Sequence, residues 1–300
     1  MTRHFLTLKD LSRSELVALI QRAIALKKDP TGPQTAELMR LQTMVLIFEK
    51  TSTRTRTSFE VACAHLGGSS IFLSPTDSQM SRGESVSDTA RIVSSMADLI
   101  VMRTSEHSRI CTMAEYSSVP VINALSEDFH PCQLLADLQT FFEYRGNIQG
   151  ARAAFVGDGS SNVCQSWINA ATMMNFELRV GAPEGYHPQR ALVEAAGDRC
   201  QVTTSAQEAV SDVDLVITDT WTGMGQENEK RQRLDALSNF QVNQELMALA
   251  SKDALFMHCL PAYRGKEIDE DTFEAHADTI FTQAENRLHT QKAILGWLAG

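Results

Sequence analysis

The 300-residue sequence has no long uninterrupted hydrophobic run, no excess of basic charge and no paired cysteine motif. Each absence removes a class of protein. Its first twenty residues, MTRHFLTLKDLSRSELVALI, mix apolar residues with Lys, Asp, Arg and Glu, unlike a signal peptide or a spanning helix. No membrane partner and a cytoplasmic location are therefore expected. The formal net charge of −10 leaves no basic face for a nucleic-acid partner, so any anion must be held by a local cluster. The six cysteines, at 63, 111, 132, 164, 200 and 259, form no CxxC pair and no framework spacing, as expected of reduced thiols.

Chemical motifs are missing too. No His, Cys and carboxylate set has metal-ligand spacing, and no serine sits in a nucleophile elbow. The turn GDGSSN at 157–162 lacks the third glycine of a dinucleotide fingerprint, and no GxxxxGK[ST] sequence provides an ATP loop. No cofactor and no metal are expected.

What is present is an ordinary globular composition, 43% hydrophobic and 21% charged, long enough for two domains. Apolar spacing predicts a helix over Leu8 to Lys28, with Asp10 or Ser12 as its cap. Strands are expected at Met44 to Phe48, Ser70 to Leu73, Leu99 to Met102 and Val119 to Ile122, with helices between them. After Gly146, Asn147 and Gly150 a second βα series begins, with strands at 151–156, 176–181, 214–218 and 254–259. This alternation predicts an α/β fold of two doubly wound parallel-sheet domains with an interdomain cleft. The domains are expected at 1–147 and 148–285, with 286–300 a C-terminal helix packing back on the first.

The most informative stretch is TSTRTRTSF, Thr51 to Phe59, directly after the first strand. A strand-to-helix turn offers unpaired N–H groups and a helix dipole that favours an anion. Ser52, Thr53 and Thr55 add neutral donors, and Arg54 a planar fork suited to phosphate. N-capping alone needs one such hydroxyl. Ligands in open α/β sheets gather beyond the carboxyl ends of the strands. The polar residues expected there are Ser52 to Thr55, Arg103, His130 and Gln133 from the first half, and Asn162, Asp219 and the HCLP segment at 258–261 from the second. One group is cationic and the other offers a carboxylate, an amide and a thiol, which suggests an anionic and an amine-bearing substrate.

Six segments in order, FEKTSTRTRTSFEVA, VMRT, DFHPCQLLADL, DTWTGMGQE, MHCLPAYRGKEI and AENRLHTQKAIL, resemble the motifs of the aspartate/ornithine carbamoyltransferases. The resemblance implies transfer of a carbamoyl group from carbamoyl phosphate to the δ-amine of ornithine, giving citrulline and phosphate in arginine metabolism. It implies that Ser52, Thr53, Arg54 and Thr55 hold the phosphate beside Arg103. Arg103, Thr55, His130 and Gln133 would polarise the carbonyl oxygen, completed by Arg287. Asn162, Asp219, Gly223 and Met224 would hold the amino-acid end of ornithine, and Cys259 and Leu260 its side chain. Gln79, in the polar loop from Ser74 to Ser85, would reach the carbamoyl phosphate site of a neighbouring subunit, within a homotrimer whose sites lie at subunit interfaces. Where the family usually has SMG this chain has GMG, so putrescine or an acylated ornithine stay open as acceptors. A non-catalytic binding homologue is the reading from another class.

Overall fold

In a computed structural model the structure describes residues 2–222 and 230–300, and Gly223 and Met224 lie outside them. The chain forms two compact units, one of residues 1–139 and 285–300 and the other of residues 140–284.

The first unit carries a four-stranded parallel sheet in the order β2-β1-β3-β4. Its strands are β1 (Thr43–Phe48), β2 (Ser69–Leu73), β3 (Leu99–Arg103) and β4 (Val121–Leu125). β1 is buried from Met44 onward, which is why it reads as a continuous apolar run rather than an alternating one. β4 begins two residues later than the apolar run suggests. Pro120 lacks a donor, and pairing starts at Val121. Phe5 adds a single bridge to Ile122 at that edge.

Helix α1 (Arg13–Lys28) is shorter than its apolar period. Ser12 caps it with Glu15, while Asp10 caps an earlier short turn with Thr7. The next helices are α2 (Thr53–His65), α3 (Val86–Ser94), α4 (His107–Tyr116) and α5 (Pro131–Arg145). Gly67 follows the Leu66 C-cap of α2; its φ of +84° suits glycine, and an added Cβ would lie 1.9 Å from the Ala36 carbonyl oxygen. Gly67→Ala is expected to cost about 2–4 kcal/mol, from left-handed strain plus a backbone clash. A denaturation midpoint equal to the parent's would contradict that geometry.

The second unit has a five-stranded parallel sheet in the order β7-β6-β5-β8-β9. The strands are β5 (Arg152–Val156), β6 (Glu177–Gly181), β7 (Cys200–Thr203), β8 (Leu215–Thr218) and β9 (Leu255–His258). Its helices are α6 (Asn162–Met174), α7 (Arg190–Ala196), α8 (Ala206–Val210), α9 (Lys230–Leu237), α10 (Gln244–Met247) and α11 (Glu270–Ala275). β7 and α7 escape the sequence reading because both are short, four and seven residues, leaving little hydrophobic period. The last helix, α12 (Ala277–Ala299), starts before the predicted Asn286. Apolar packing on β5, β8 and β9 joins Val156, Val216, Trp221, Phe256, Phe273 and Ile280. No helix among the described residues is long and apolar enough to cross a membrane.

In both sheets the strand order reverses once, between β1 and β3 in the first and between β5 and β8 in the second. Connections leave in opposite directions there and open a crevice at the carboxyl ends. Register then decides which side chains meet. Phe48 pairs with Arg103, bringing Arg103 beside the end of β1. Thr218 pairs with both Val156 and His258, which sets Asp219 between the GDGSSN turn and Cys259.

Candidate active site

At the first reversal, Ser52 occupies the N-cap position of α2 but makes no side-chain capping bond. The Ser52 hydroxyl is therefore not spent on capping α2, whose start follows the carboxyl end of β1. Thr53 and Arg54 are exposed, whereas Thr55 is buried. Arg287, buried on α12, donates to Thr55 Oγ1 at 3.1 Å and to Gln133 Oε1 at 2.7 Å. Gln133 Nε2 in turn donates to Asp137 Oδ1 at 2.8 Å. The amide orientation follows from its partners, since a carboxylate only accepts and a guanidinium only donates. Gln133 thus turns its oxygen to Arg287.

Arg103 is partly buried, and its Nε has no hydrogen-bond partner among the described residues. Burial, then the charges of Arg287 and Arg54, push its pKa down to about 10. Three guanidiniums crowd one another here. His130, at the start of α5, is buried, and its pKa falls well below the usual imidazole value through burial and the same three cations. It is a neutral imidazole at physiological pH. The cluster of Ser52, Thr53, Arg54, Thr55, Arg103, His130, Gln133 and Arg287 lies within the first unit. Gln79 is different: it is exposed, and its amide makes no hydrogen bond among the described residues.

Glu49 escaped the sequence reading. It accepts from Arg109 through Nε and Nη2 at 3.0 and 2.7 Å and from the Thr104 hydroxyl, while its N–H donates to the Arg103 carbonyl at 2.9 Å. It thereby ties the ends of β1 and β3 together. The signal was present in the FEK segment, but a carboxylate beside an arginine-rich turn reads most simply as a surface charge.

At the second reversal Asn162 opens α6, one residue after the Ser161 cap. Asp219 follows β8 and accepts from the Thr220 N–H at 2.7 Å and from the Cys259 thiol at 3.0 Å. Burial raises the Asp219 pKa, and the hydrogen bonds from the Cys259 thiol and the Thr220 N–H pull the other way. Cys259 is partly exposed. Cys132, which follows His130 and Pro131, is a core thiol, pushed up to about 12 by burial and donating to the Asn123 carbonyl. Leu260 holds a φ of +58°, costly for a branched side chain, and its N–H donates to His258 Nδ1 at 2.9 Å. His258 Nδ1 is therefore an acceptor, and its proton sits on Nε2, 3.2 Å from Glu267 Oε1. The same Glu267 oxygen accepts from the Tyr263 N–H at 2.6 Å. His258 and Glu267 are fully buried. Glu267 was not legible in sequence, because nothing in YRGKEI marks a glutamate for the interior.

Asn162, Asp219, Cys259 and Leu260 all belong to the second unit. The chemistry on offer is an anion-binding set of donors in one unit, and a carboxylate, amide and thiol set suited to an amine in the other.

Comparison with known proteins agrees with that division. The family model described as the carbamoyl-P binding domain of aspartate/ornithine carbamoyltransferase matches residues 3–143, and that of the Asp/Orn binding domain matches residues 149–298. Ornithine carbamoyltransferase of Methylococcus capsulatus is 52% identical over 99% of this chain and 98% of its own length. That of Nitrosococcus oceani is 51% identical over 97% and 96%. Among solved structures, anabolic ornithine carbamoyltransferase from Campylobacter jejuni superposes with a TM-score of 0.93 at 44% identity, covering 99% of both chains.

Proposed function

This chain belongs to the aspartate/ornithine carbamoyltransferase family, and on that premise we propose that it transfers the carbamoyl group of carbamoyl phosphate to the δ-amine of L-ornithine. The products are L-citrulline and phosphate. The observation that carries the reading is the unpaired Arg103 Nε amid the Arg54 and Arg287 charges at the opening of α2. Such crowding is costly until an anion arrives, and carbamoyl phosphate brings one.

In this reading Ser52, Thr53, Arg54 and Thr55 hold the phosphate with Arg103. When the amine nitrogen attacks the carbonyl carbon, negative charge builds on the carbonyl oxygen. Arg103, Thr55 and neutral His130 donate to that oxygen without reorganising. Collapse of the intermediate breaks the bond to phosphate, which leaves with the electron pair, and the nitrogen sheds its extra proton. Gln133 binds through its fixed orientation, keeping Arg287 in place with its carbonyl and facing the carbamoyl group with its remaining N–H. Asn162 and Asp219, with Gly223 and Met224, take the amino-acid end of ornithine. Cys259 and Leu260 line its side chain, and the δ-ammonium must lose a proton before the nitrogen can attack.

Residues 1–147 form the carbamoyl phosphate domain in this proposal and 148–285 the ornithine domain, with 286–300 returning to the first. The enzyme works in the cytoplasm, in arginine biosynthesis, as a homotrimer in which the exposed Gln79 completes a neighbour's site.

The acceptor is tested by steady-state assays with carbamoyl phosphate and ornithine, putrescine or N-acetylornithine. Ornithine is expected to lead in kcat/KM by at least about a hundredfold, because an acceptor lacking the carboxylate or amine leaves buried polar groups unpaired. A preference for putrescine would overturn ornithine while keeping the reaction.

A further inference from the structure

The second unit contains a buried ion pair that takes no part in the chemistry above. Asp158, in the turn after β5, and Arg233, on α9, are 5% and 7% exposed and paired through Asp158 Oδ2 and Arg233 Nη2. The other carboxylate oxygen, Oδ1, accepts from the Ser160 N–H at 3.0 Å and from its hydroxyl at 2.6 Å. Arg233 Nε donates to the Trp221 carbonyl at 2.7 Å. The guanidinium also lies 5.0 Å from the centre of the Tyr186 ring. One side chain therefore binds three separate segments.

Two of those segments carry the acceptor-binding residues. Asp158 stands four residues before Asn162 in the same turn, and Trp221 two residues after Asp219. These segments follow β5 and β8, the strands between which the chain order reverses. Among the described residues the β5–β8 ladder ends at Val156 and Thr218, and beyond it the Arg233 side chain bridges the two segments.

A buried ion pair is a poor source of net stability, because desolvating both charges offsets most of their attraction. What it supplies is direction. The planar fork of arginine can serve a carboxylate and a carbonyl at once, whereas a lysine has a single nitrogen to share. We propose that Arg233 is a positioning residue for the acceptor site, its bridge from Asp158 to the Trp221 carbonyl fixing the gap between Asn162 and Asp219 into which the amine substrate fits. The inference rests on the acceptor assignment proposed above.

The test uses the full-length protein and whichever of ornithine, putrescine or N-acetylornithine the wild type carbamoylates fastest. In Arg233→Gln, KM for the amine rises about tenfold or more, and KM for carbamoyl phosphate stays within about twofold. Arg233→Lys falls between wild type and Arg233→Gln. Asp158→Asn raises the amine KM as well, and Arg233→Gln combined with Asp158→Asn is no worse than the weaker single variant, because the two side chains act as one unit. Circular dichroism confirms that each variant is folded. An unchanged amine KM in folded Arg233→Gln overturns the proposal. So do equal rises in both KM values, identical behaviour of the lysine and glutamine variants, or failure of all the variants to fold, which would assign the pair to structure alone. A wild type that prefers another amine would overturn the ornithine reading and leave this test in force. Absence of turnover with every amine would overturn both.

Discussion

Replacing Arg103 with methionine is expected to remove most turnover while raising the melting temperature. The two effects have one cause. Burial and the neighbouring Arg287 and Arg54 push the Arg103 pKa down to about 10. A folded-state pKa below the unfolded value means that folding disfavours this cation. The cost is fully present at neutral pH and is relieved as pH rises through the folded pKa. Reduced for the partial exposure of the side chain, the lowering corresponds to on the order of 1–3 kcal/mol of stored repulsion. Releasing it should raise the melting temperature by roughly 2–6 °C. Removing one preorganised donor from a site where negative charge develops costs about 10²–10³ in turnover. Inorganic phosphate should also stabilise the wild type and have little effect on Arg103→Met. Kinetics and thermal scans with and without phosphate provide the check. Activity and melting temperature falling together would make Arg103 a structural residue and sink the anion-site reading.

The second large effect is with pH. The pKa values of His4, His65, His107, His130, His276 and His289 are all lowered, with burial the leading cause at each. Some contacts suit the neutral form: His4 Nδ1 accepts from the Val121 N–H, and His276 packs on Phe256. Above about pH 6.5 these groups are neutral in both states and contribute no slope. Below it the unfolded chain takes up protons that the folded chain refuses, so stability falls as pH falls. Asp219, with its pKa raised, acts in the opposite sense nearer the carboxylate range, as one group against six. The melting temperature is therefore expected to fall between pH 7.5 and 5.5, most steeply below about pH 6.5. Thermal scans at pH 7.5, 6.5 and 5.5 measure it, and calorimetry in buffers of different ionisation enthalpy reports proton uptake on unfolding. A melting temperature constant over that range would show that these imidazoles titrate normally in the folded protein.

The βα alternation, the anion turn and the sequence motifs were legible because each is local. Hydrophobic period, helix-start chemistry and residue order all survive in one dimension. TSTRTRTSF announced its donors without help from the rest of the chain, and the family followed from motifs in order. Element ends were less legible, as at Val121, where Pro120 set the start of pairing.

Tertiary structure decided the rest. Whether Ser52 caps α2 or stays open, which way the Gln133 amide turns, and that His258 keeps its proton on Nε2 depend on partners as distant in sequence as Arg287 and Glu267. Arg233 is one of three cations in KRQR, and only the fold sets it against Asp158. By itself the sequence determined which groups could bind an anion and an amine, since that depends on residue type and local backbone. Only packing decided which of them are buried, paired or left open, because burial and charge proximity arise between residues that the chain keeps far apart.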